Sequence, residues 1–442
     1  MPELRHPAQF VVVGFGSAVA LGTVLLTLPI ARAGPGGATL LDALFTATSA
    51  VCVTGLVVVD TPTYWSGFGE GVILGLIQVG GFGIMTMASL LGLLISRRMG
   101  LRTRLAAAAE TKSLGLGDVR SVLVGVAKIS VIFELSTAVL LTARFALGYD
   151  EPFHRAAYLG VFNAVSAFNN AGFALYTDSL MGFVGDPWIC LPIALAVIAG
   201  GLGFPVILEL RRQLRRPGQW SLHTKITLST TAVLLFAGAG FILASEWGNP
   251  GTLDPLSLPG KLLAGFFSAV MPRTAGFNSL DVSQMNEATW LGTDVLMFIG
   301  GGSASTAGGI KVTTFALLFF VIYAEVRGEA RVNIFDRRVG ERAQRQALAV
   351  ALLGIAAVVA PTLILLELTA FRLDEVLFEV VSAFGTVGLS TGITAQLPGV
   401  GQAVLIVLMF VGRLGPIRLA SALALRERGR LYELPEGRPI IG

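Results

Sequence analysis

The chain has 442 residues, of which 54% are hydrophobic and 14% are charged, and its mean hydropathy is +0.75. This composition excludes an ordinary water-soluble domain and predicts a protein embedded in lipid. The formal net charge of +4 does not predict nucleic-acid binding, because the basic residues are clustered between apolar runs. Cys52 and Cys190 both lie in apolar surroundings, so no disulfide framework is expected.

Apolar runs that are about long enough to cross roughly 30 Å of hydrocarbon recur along the chain, from 10–30 near its start to 400–417 near its end. Clusters of arginine and lysine separate pairs of these runs, at 97–120, 211–225, 327–345 and 418–438. Because such clusters mark cytoplasmic loops, they predict a multi-pass protein with both termini in the cytoplasm. The alternative is that these basic clusters bind lipid headgroups or nucleic acid. Their regular alternation with pairs of apolar runs disfavours this alternative.

Four segments in the predicted outer loops share a glycine followed by Leu or Phe. They are Ser-Ala-Val-Cys-Val-Thr-Gly-Leu at 49–56, Ser-Ala-Phe-Asn-Asn-Ala-Gly-Phe at 166–173, Arg-Thr-Ala-Gly-Phe-Asn at 273–278 and Ser-Ala-Phe-Gly-Thr-Val-Gly-Leu at 382–389. A four-fold ion filter made by one chain needs four tight turns whose carbonyl groups approach one axis, and a side chain at the glycine would block that approach. The segments therefore predict an ion-conducting pore.

The glycines of these segments are 104 to 117 residues apart, so each repeat has the size of a domain. We predict an all-α membrane protein with four pseudo-symmetric helix–pore-loop–helix repeats around a central pore, with about eight spanning helices plus four re-entrant pore helices. The predicted repeats are 1–100, 101–216, 217–340 and 341–442, and the predicted pore helices are 39–51, 153–168, 258–270 and 373–384. The C-terminal ends of the pore helices carry partial negative charge, which favours a cation at the axis.

A cluster of small residues follows each filter glycine by 24 to 28 residues, at 80–83, 200–203, 300–303 and 412–415. Close helix packing explains glycines of this kind, while the nearly constant offset also predicts that they line the inner pore. In the third repeat the cluster becomes a run of ten small residues: Gly300, Gly301, Gly302, Ser303, Ala304, Ser305, Thr306, Ala307, Gly308 and Gly309. Each glycine costs a helix about 1 kcal/mol relative to alanine, so the run predicts an interrupted helix, with a kinked helix as the alternative.

Arg413 stands where the other small-residue clusters have glycine. A charge at the centre of a membrane helix costs at least roughly 2.5–3.5 kcal/mol on insertion scales, so a compensating partner is expected. We predict that the carbonyl groups of 300–309 are that partner, and snorkelling to the cytoplasmic surface is the alternative. Lys311 directly follows the run and either joins it or reaches the interface.

Three acidic residues, Asp60, Asp178 and Asp281, follow their filter glycines by five or six residues. Carboxylates at an outer mouth raise the local concentration of cations. The alternative is that each one caps the helix that follows it. Both interpretations remain open at this point.

The order and wording of these motifs resemble the KtrB family of bacterial membrane subunits within the Trk/Ktr/HKT potassium transporters, over nearly the whole chain. Two further strings are similar to that family, Ser-Thr-Ala-Gly-Gly-Ile-Lys at 305–311 and Gly-Arg-Leu-Gly-Pro at 412–416. The resemblance implies potassium uptake across the bacterial inner (plasma) membrane and an intramembrane gating loop at 300–309. It places potassium against the backbone carbonyls of Val53, Thr54 and Gly55, of Asn170, Ala171 and Gly172, of Thr274, Ala275 and Gly276, and of Thr386, Val387 and Gly388.

The resemblance further implies a homodimer, surrounded by membrane lipid and seated on a cytosolic nucleotide-binding RCK ring of the KtrA type. Potassium is then the substrate, and sodium is expected to assist its uptake. No organic cofactor, nucleic-acid partner or enzyme activity is expected, because the three histidines lie in separate loops and the chain has no P-loop motif. The alternatives are a TrkH-type or less selective potassium/sodium transporter, an alternating-access symporter, and the potassium-binding subunit of an ion-pumping ATPase.

Overall fold

A computed structural model of the chain describes residues 7–98 and 119–415. The parts of the predicted cytoplasmic clusters and of the C-terminal tail that fall in 1–6, 99–118 and 416–442 lie outside these residues. The first two predicted repeats contain α1 (Pro7–Thr27), α2 (Leu40–Val51), α3 (Thr61–Tyr64), α4 (Gly67–Arg98), α5 (Val119–Gly148), α6 (Phe153–Phe168), α7 (Pro187–Leu202) and α8 (Phe204–Gln213). The last two contain α9 (Leu222–Glu246), α10 (Leu258–Val270), α11 (Glu287–Phe298), α12 (Val312–Val326), β1 (Asn333–Ile334), β2 (Arg337–Arg338), α13 (Glu341–Leu368), α14 (Leu373–Gly385) and α15 (Gly399–Leu414).

Four stretches of helix in the described residues are long and apolar enough to cross a membrane: Gly67–Thr86, Leu123–Gly148, Leu222–Glu246 and Glu341–Leu368. Together α7 and α8 form a fifth, broken span that bends by 100°. The remaining predicted spans correspond to shorter helices, because α1 and α15 reach the limits of the described residues and 299–311 interrupts the span made by α11 and α12. The predicted class, a helical membrane protein with pore loops, is confirmed.

The break between α7 and α8 was not expected from the sequence, which predicts an interruption only in the third repeat. Gly203 lies at the break with φ +91°, a conformation that residues with a side chain rarely adopt. Pro205 follows in the first turn of α8, where a backbone N–H has no partner within the helix, so its absence costs nothing. Inside a continuous α7 the same proline would remove a hydrogen bond and break the helix. The two residues together end one helix and start the next.

The four short helices α2, α6, α10 and α14 match the predicted pore helices to within one residue. Hydroxyl side chains begin two of them, since Thr39 accepts a hydrogen bond from the Asp42 N–H at 3.1 Å and Ser257 accepts one from the Gly260 N–H at 3.4 Å. The C-terminal halves of these helices are buried in protein. They are therefore enclosed by the spanning helices rather than exposed to lipid.

Large apolar side chains cover the outer surface of the spanning helices, such as Leu135, Val233 and Phe236, the last of which is 76% exposed. An exposed apolar surface of this kind matches hydrocarbon rather than water. The described residues depart from the all-helical prediction in the antiparallel hairpin of β1 and β2 and in two isolated β-bridges. Lys225 contacts the hairpin through an ion pair of 3.3 Å with Asp336.

Close packing between α5 and α6 depends on Gly160. An added Cβ at this position would lie 2.3 Å from Thr142 Oγ1 and 2.9 Å from the Ala138 carbonyl oxygen. We expect Gly160→Val to lower the unfolding free energy by about 1–3 kcal/mol, because the helices must separate to admit the side chain. Thermal unfolding of the detergent-purified protein measures this change.

Gly240→Val is the matched control for this prediction, since Gly240 lies in α9 with nothing within 4 Å of an added Cβ. Equal losses of thermal stability in the two variants would contradict the packing role of Gly160.

Candidate ion pore and gate

The four glycine segments meet in a closed ring. An added Cβ on each filter glycine would approach a carbonyl oxygen of the next loop to between 2.2 and 2.6 Å: Gly55 to Ala171, Gly172 to Ala275, Gly276 to Val387, and Gly388 to Thr54. The contacts run from each loop to the next and from the fourth back to the first. Real Cβ atoms do not come this close to an oxygen, so any other residue would force the ring apart.

The backbone of each loop is held in an unusual conformation at two positions. The filter glycines have φ values of +90°, +72°, +70° and +97° in chain order. Two residues earlier, Val53, Asn170, Thr274 and Thr386 also have positive φ, between 50° and 70°. Such conformations cost non-glycine residues roughly 1–3 kcal/mol each and persist only where the surroundings enforce them.

The eight side chains that share the predicted filter triplets with the glycines are fully buried in protein: Val53, Thr54, Asn170, Ala171, Thr274, Ala275, Thr386 and Val387. Because these side chains are buried in protein, the backbone is the part of each triplet that is left to contact an ion. Carbonyl oxygens are ligands that can replace the hydration shell of a monovalent cation. Among the described residues there is no group of His, Cys, Asp and Glu that could hold a metal in another way.

The repeated Ser-Ala pair has a structural role that the sequence did not reveal. Ser49 accepts a hydrogen bond from the Gly55 N–H at 3.1 Å and donates one to the Leu56 carbonyl at 2.8 Å. Ser382 accepts one from the Gly388 N–H at 3.1 Å. Both serines lie on pore helices, so the first and fourth loops are tied to rigid elements.

The first glycine of three small-residue clusters packs against the end of a pore helix. An added Cβ would lie about 2 Å from a carbonyl oxygen in each case: from Gly80 to Val51, from Gly200 to Phe168, and from Gly412 to Phe384. Close packing therefore accounts for these three positions. A cavity of about 160 Å³ lies beside the fourth cluster, lined among others by Ser303, Gly309, Gly412 and Arg413.

The run at 300–309 is a loop and not a kinked helix, because the backbone from 299 to 311 is non-helical. Its ends are joined by two hydrogen bonds, from the Gly300 N–H to the Ile310 carbonyl at 2.8 Å and from the Val312 N–H to the Gly301 carbonyl at 3.0 Å. The Gly302 N–H donates to the Gly201 carbonyl at 2.7 Å, which ties the loop to the broken span of the second repeat.

This loop lies directly against two of the filter segments. An added Cβ at Gly308 would lie 2.1 Å from Thr386 Oγ1, in the fourth filter segment. Thr306 Oγ1 lies 2.9 Å from the side-chain amide of Asn170, in the second. The loop therefore contacts the ring at two opposite repeats, the second and the fourth.

Arg413 joins the loop to α4 through backbone carbonyls. Its Nη1 donates to the Thr306 carbonyl and its Nη2 donates to the Gly80 carbonyl at 3.0 Å. The side chain is only 3% exposed, so the alternative of snorkelling to the surface is wrong. Lys311 turns back into the loop as well, where its Nζ donates to the Ala307 and Gly308 carbonyls.

Arg273 is a third basic residue at the loop, and it is not among the site residues predicted from the sequence. Its Nη2 donates to the Gly300 carbonyl at 3.1 Å, and its Nη1 is buried without a hydrogen-bond partner among the described residues. No salt bridge in the described part of the chain includes Arg273 or Arg413. A signal was available in the sequence, since Arg273 is a charged residue inside the third filter motif.

A half-buried carboxylate supports the second loop, and no sequence pattern assigned it to a site. Glu134 Oε1 accepts hydrogen bonds from Gln78 Nε2 and from Asn169 Nδ2, both at 3.1 Å. Asn169 is the residue directly before the second filter triplet, and its Nδ2 also donates to Gln78 Oε1 at 2.9 Å. The network joins α4, α5 and the loop.

The three outer acids have different environments. The Asp281 carboxylate accepts the Ser283 N–H at 3.0 Å, which is a helix cap. The Asp60 carboxylate accepts hydrogen bonds from the hydroxyl groups of Thr63 and of Thr177, the latter at 3.0 Å, and it links the first two repeats. Asp178 is exposed.

Close to Asp178, burial raises the pKa of the Tyr176 phenol to about 12, so this side chain stays neutral. The negative charge at this part of the surface is therefore that of the carboxylates.

The fold and the ring define a helical membrane protein in which one chain supplies four pore loops. The family model for TrkH, described as a cation transport protein, matches residues 3–430. The chain therefore belongs to the TrkH family of cation transport proteins, and the resemblance seen in the sequence is confirmed.

Relatives align over almost the full length. The chain is 40% identical over 436 residues to Ktr system potassium uptake protein B of Bacillus subtilis, covering 99% of this chain and 97% of the relative. It is 37% identical to the protein of the same name from Vibrio alginolyticus, covering 98% and 94%. It is 34% identical to potassium/sodium uptake protein NtpJ of Enterococcus hirae, covering 99% and 97%.

Among solved structures, the chain is similar to the potassium transporter TrkH from Vibrio parahaemolyticus, with a TM-score of 0.71 over 96% of this chain and 86% of that chain. The sequence identity is 18%, so this similarity supports the fold alone.

Replacing Gly276 by Ser is expected to reduce discrimination between potassium and sodium by about tenfold, or ~1.4 kcal/mol, before it abolishes transport. The added Cβ would lie 2.2 Å from the Val387 carbonyl oxygen and would disturb one quadrant of the ring. Competition between the two ions in uptake by transport-deficient cells measures the change.

Gly328→Ser is its control, because Gly328 has a similar φ of +67° but nothing within 4 Å of an added Cβ. Unchanged apparent affinities for both ions in the Gly276 variant would contradict the filter assignment.

Asp178→Asn and Asp281→Asn are expected to act differently. The exposed Asp178 charge is screened over about 8 Å at physiological salt, so its loss should lower uptake mainly at low ionic strength. Loss of the Asp281 cap should instead lower thermal stability by about 1 kcal/mol at all salt concentrations. Uptake and unfolding measured across a salt series separate these effects, and an Asp178 variant whose loss of uptake is independent of salt would refute the electrostatic role.

Proposed function

We propose that this chain is the membrane subunit of a potassium uptake system and that potassium crosses the bacterial inner membrane through the ring of four glycine loops. The observation that carries the proposal is the closed sequence of contacts from Gly55 through Gly172 and Gly276 to Gly388 and back. The names of the Bacillus and Vibrio relatives, which align over nearly all of this chain, support potassium as the ion.

In this proposal the backbone of the ring selects the ion. Carbonyl dipoles take the place of water around a dehydrated cation, so selectivity depends on the distances that the four loops impose. The membrane potential supplies the driving force, at about 2.3 kcal/mol per charge for each 100 mV. No step requires a catalytic group from this chain.

The loop at 300–309 is proposed to be the gate. It packs against the second and fourth filter segments, and three basic side chains, Arg273, Lys311 and Arg413, donate to its carbonyl groups. Buried positive charge beside the path opposes the passage of a cation, so conduction requires the loop and Arg413 to move together. Charge-assisted hydrogen bonds of this kind typically contribute roughly 1.5–3 kcal/mol each. The binding free energy of a partner protein can offset the loss of these bonds when the gate opens.

The proposed assembly is a homodimer on a cytosolic RCK ring of the KtrA type, with sodium assisting uptake. Support for a partner subunit comes from the words "Ktr system" in the names of two relatives. Support for sodium comes from the name of the Enterococcus relative, a potassium/sodium uptake protein. The same name favours a less selective potassium/sodium transporter as the second candidate.

Expression in a cell that lacks its own potassium uptake tests the proposed function. Growth and potassium uptake at low external potassium, with and without sodium and the ring subunit, are the measurements. A membrane-inserted chain that supports no potassium uptake under any of these conditions would refute the proposal, and equal uptake of both ions would favour the second candidate.

Arg413→Ala, and separately a shortened loop, are expected to raise the maximal potassium flux and to reduce its dependence on the ring subunit. The reason is that each change removes the bond between Arg413 and the Thr306 carbonyl. Selectivity should survive, because the filter backbone is unchanged. Initial uptake rates, with and without the ring subunit, provide the measurement.

Arg372→Ala is the control for the gating prediction. Arg372 is exposed, lies far from the gating loop in the sequence, and pairs with Glu287 and Asp374 rather than with a loop carbonyl. A lower flux in both gate variants, in protein that is folded and in the membrane, would leave the loop with a structural role only.

A further inference from the structure

The chain segment that leaves the fourth filter loop is held by one buried carboxylate. Glu379 lies on α14 and is fully buried. Its Oε1 accepts the Thr391 N–H at 3.0 Å and the Ser390 hydroxyl, and its Oε2 accepts the Thr394 hydroxyl at 2.8 Å. Ser390 is only two residues beyond Gly388, so these bonds begin next to the ring.

We propose that Glu379 is a positioning residue that sets the geometry of the fourth quadrant of the filter and thereby its discrimination between cations. This inference rests on the proposed function of the ring. The residue acts through the loop and touches no ion itself.

Glu379 completes a clamp that holds the fourth loop from both sides. On the near side, Ser382 accepts the Gly388 N–H at 3.1 Å through its hydroxyl and the Val387 N–H at 2.8 Å through its carbonyl. On the far side, Glu379 holds Ser390, Thr391 and Thr394. The two clamping residues are three positions apart on one helix and therefore share a face. The segments on both sides of the filter triplet are therefore hydrogen-bonded to one helix, α14.

The other three loops lack this carboxylate. Glu379 stands three positions before the serine of the Ser-Ala pair, and the residues at this position in the other three segments are Thr46, Asn163 and Gly265. The Thr46 hydroxyl and the Asn163 Oδ1 are buried without a hydrogen-bond partner among the described residues. The fourth loop therefore has a carboxylate anchor on its own pore helix, which the first three loops lack.

The Glu379 carboxyl group is held by hydrogen-bond donors rather than by a basic residue. No salt bridge in the described part of the chain includes it. The neighbouring helix α11 packs against α14, with the rings of Trp290 and Phe378 6.3 Å apart, and brings the buried Asp294 rather than a cation to this side. A glutamine keeps only one acceptor oxygen, so one of the present donors would then face an NH₂ group.

The test is Glu379→Gln in the full-length chain, expressed with its ring subunit in transport-deficient cells. The ratio of potassium to sodium apparent affinities is expected to fall by about tenfold, as for the loss of one charge-assisted hydrogen bond. Abundance in the membrane and the maximal uptake rate at saturating potassium should remain near those of the unaltered chain.

Glu246→Gln is the matched control. Glu246 is also a fully buried carboxylate, and it accepts hydrogen bonds from the Thr252 and Thr289 hydroxyls and the Asn286 N–H, none of which belongs to a filter loop. This variant should change thermal stability and leave the affinity ratio unchanged. An equal shift of the ratio in both variants, or an unchanged ratio in a folded Glu379→Gln protein, would overturn the proposal.

Two milder variants decide the question if Glu379→Gln does not reach the membrane. Ser390→Ala and Thr394→Val each remove one donor to the carboxylate and should each lower the ratio in part. Unchanged ratios in both would overturn the proposal.

Heat stabilisation of the purified chain by potassium chloride against sodium chloride is a second measurement that needs no transport. This measurement separates the two proposals. If the unaltered chain transports no ion but is stabilised more by potassium than by sodium, and Glu379→Gln removes this difference, the result would contradict the proposed function and support the clamp.

Discussion

The approach of each filter glycine to a carbonyl oxygen of the next loop is the contact on which the rest of the structure depends. Four loops from one chain can close a ring only if no side chain stands between them, as at Gly55 and Gly388. A second set of close contacts supports the first, because Gly80, Gly200 and Gly412 admit the ends of the pore helices. The small residues of the chain thus determine how near its repeats come to one axis.

In this protein the carbonyl groups at a helix break accept hydrogen bonds from buried arginines. A loop at membrane depth exposes carbonyl groups that no helix uses, and a buried guanidinium needs acceptors that lipid cannot offer. The interruption at 299–311 supplies acceptors to Arg273 and Arg413. The break at Gly203 lies against the same loop, with an added Cβ only 2.6 Å from the Ser303 carbonyl oxygen. Each unfavourable feature is tolerated because the other is present.

Buried and half-buried carboxylates act in this chain as acceptors that fix irregular backbone. Glu134, Glu246 and Glu379 each collect hydrogen bonds from amide or hydroxyl donors of another segment. A carboxylate without a basic partner is costly to bury unless such donors surround it. Such a carboxylate orients several donor groups at once. It therefore fixes the conformation of a loop that has no regular backbone hydrogen bonds of its own.

The sequence by itself determined the four glycine loops, the pore helices to within one residue and the interruption in the third repeat, because each depends on local composition and on glycine conformation. It also predicted that Arg413 binds carbonyl groups of 300–309, of which the structure has the Thr306 carbonyl. Only the tertiary structure decided its second partner, since Arg413 and Gly80 are 333 residues apart. The roles of Arg273 and Glu379 and the break at Gly203 were likewise decided by packing between elements, whose partners no local pattern specifies.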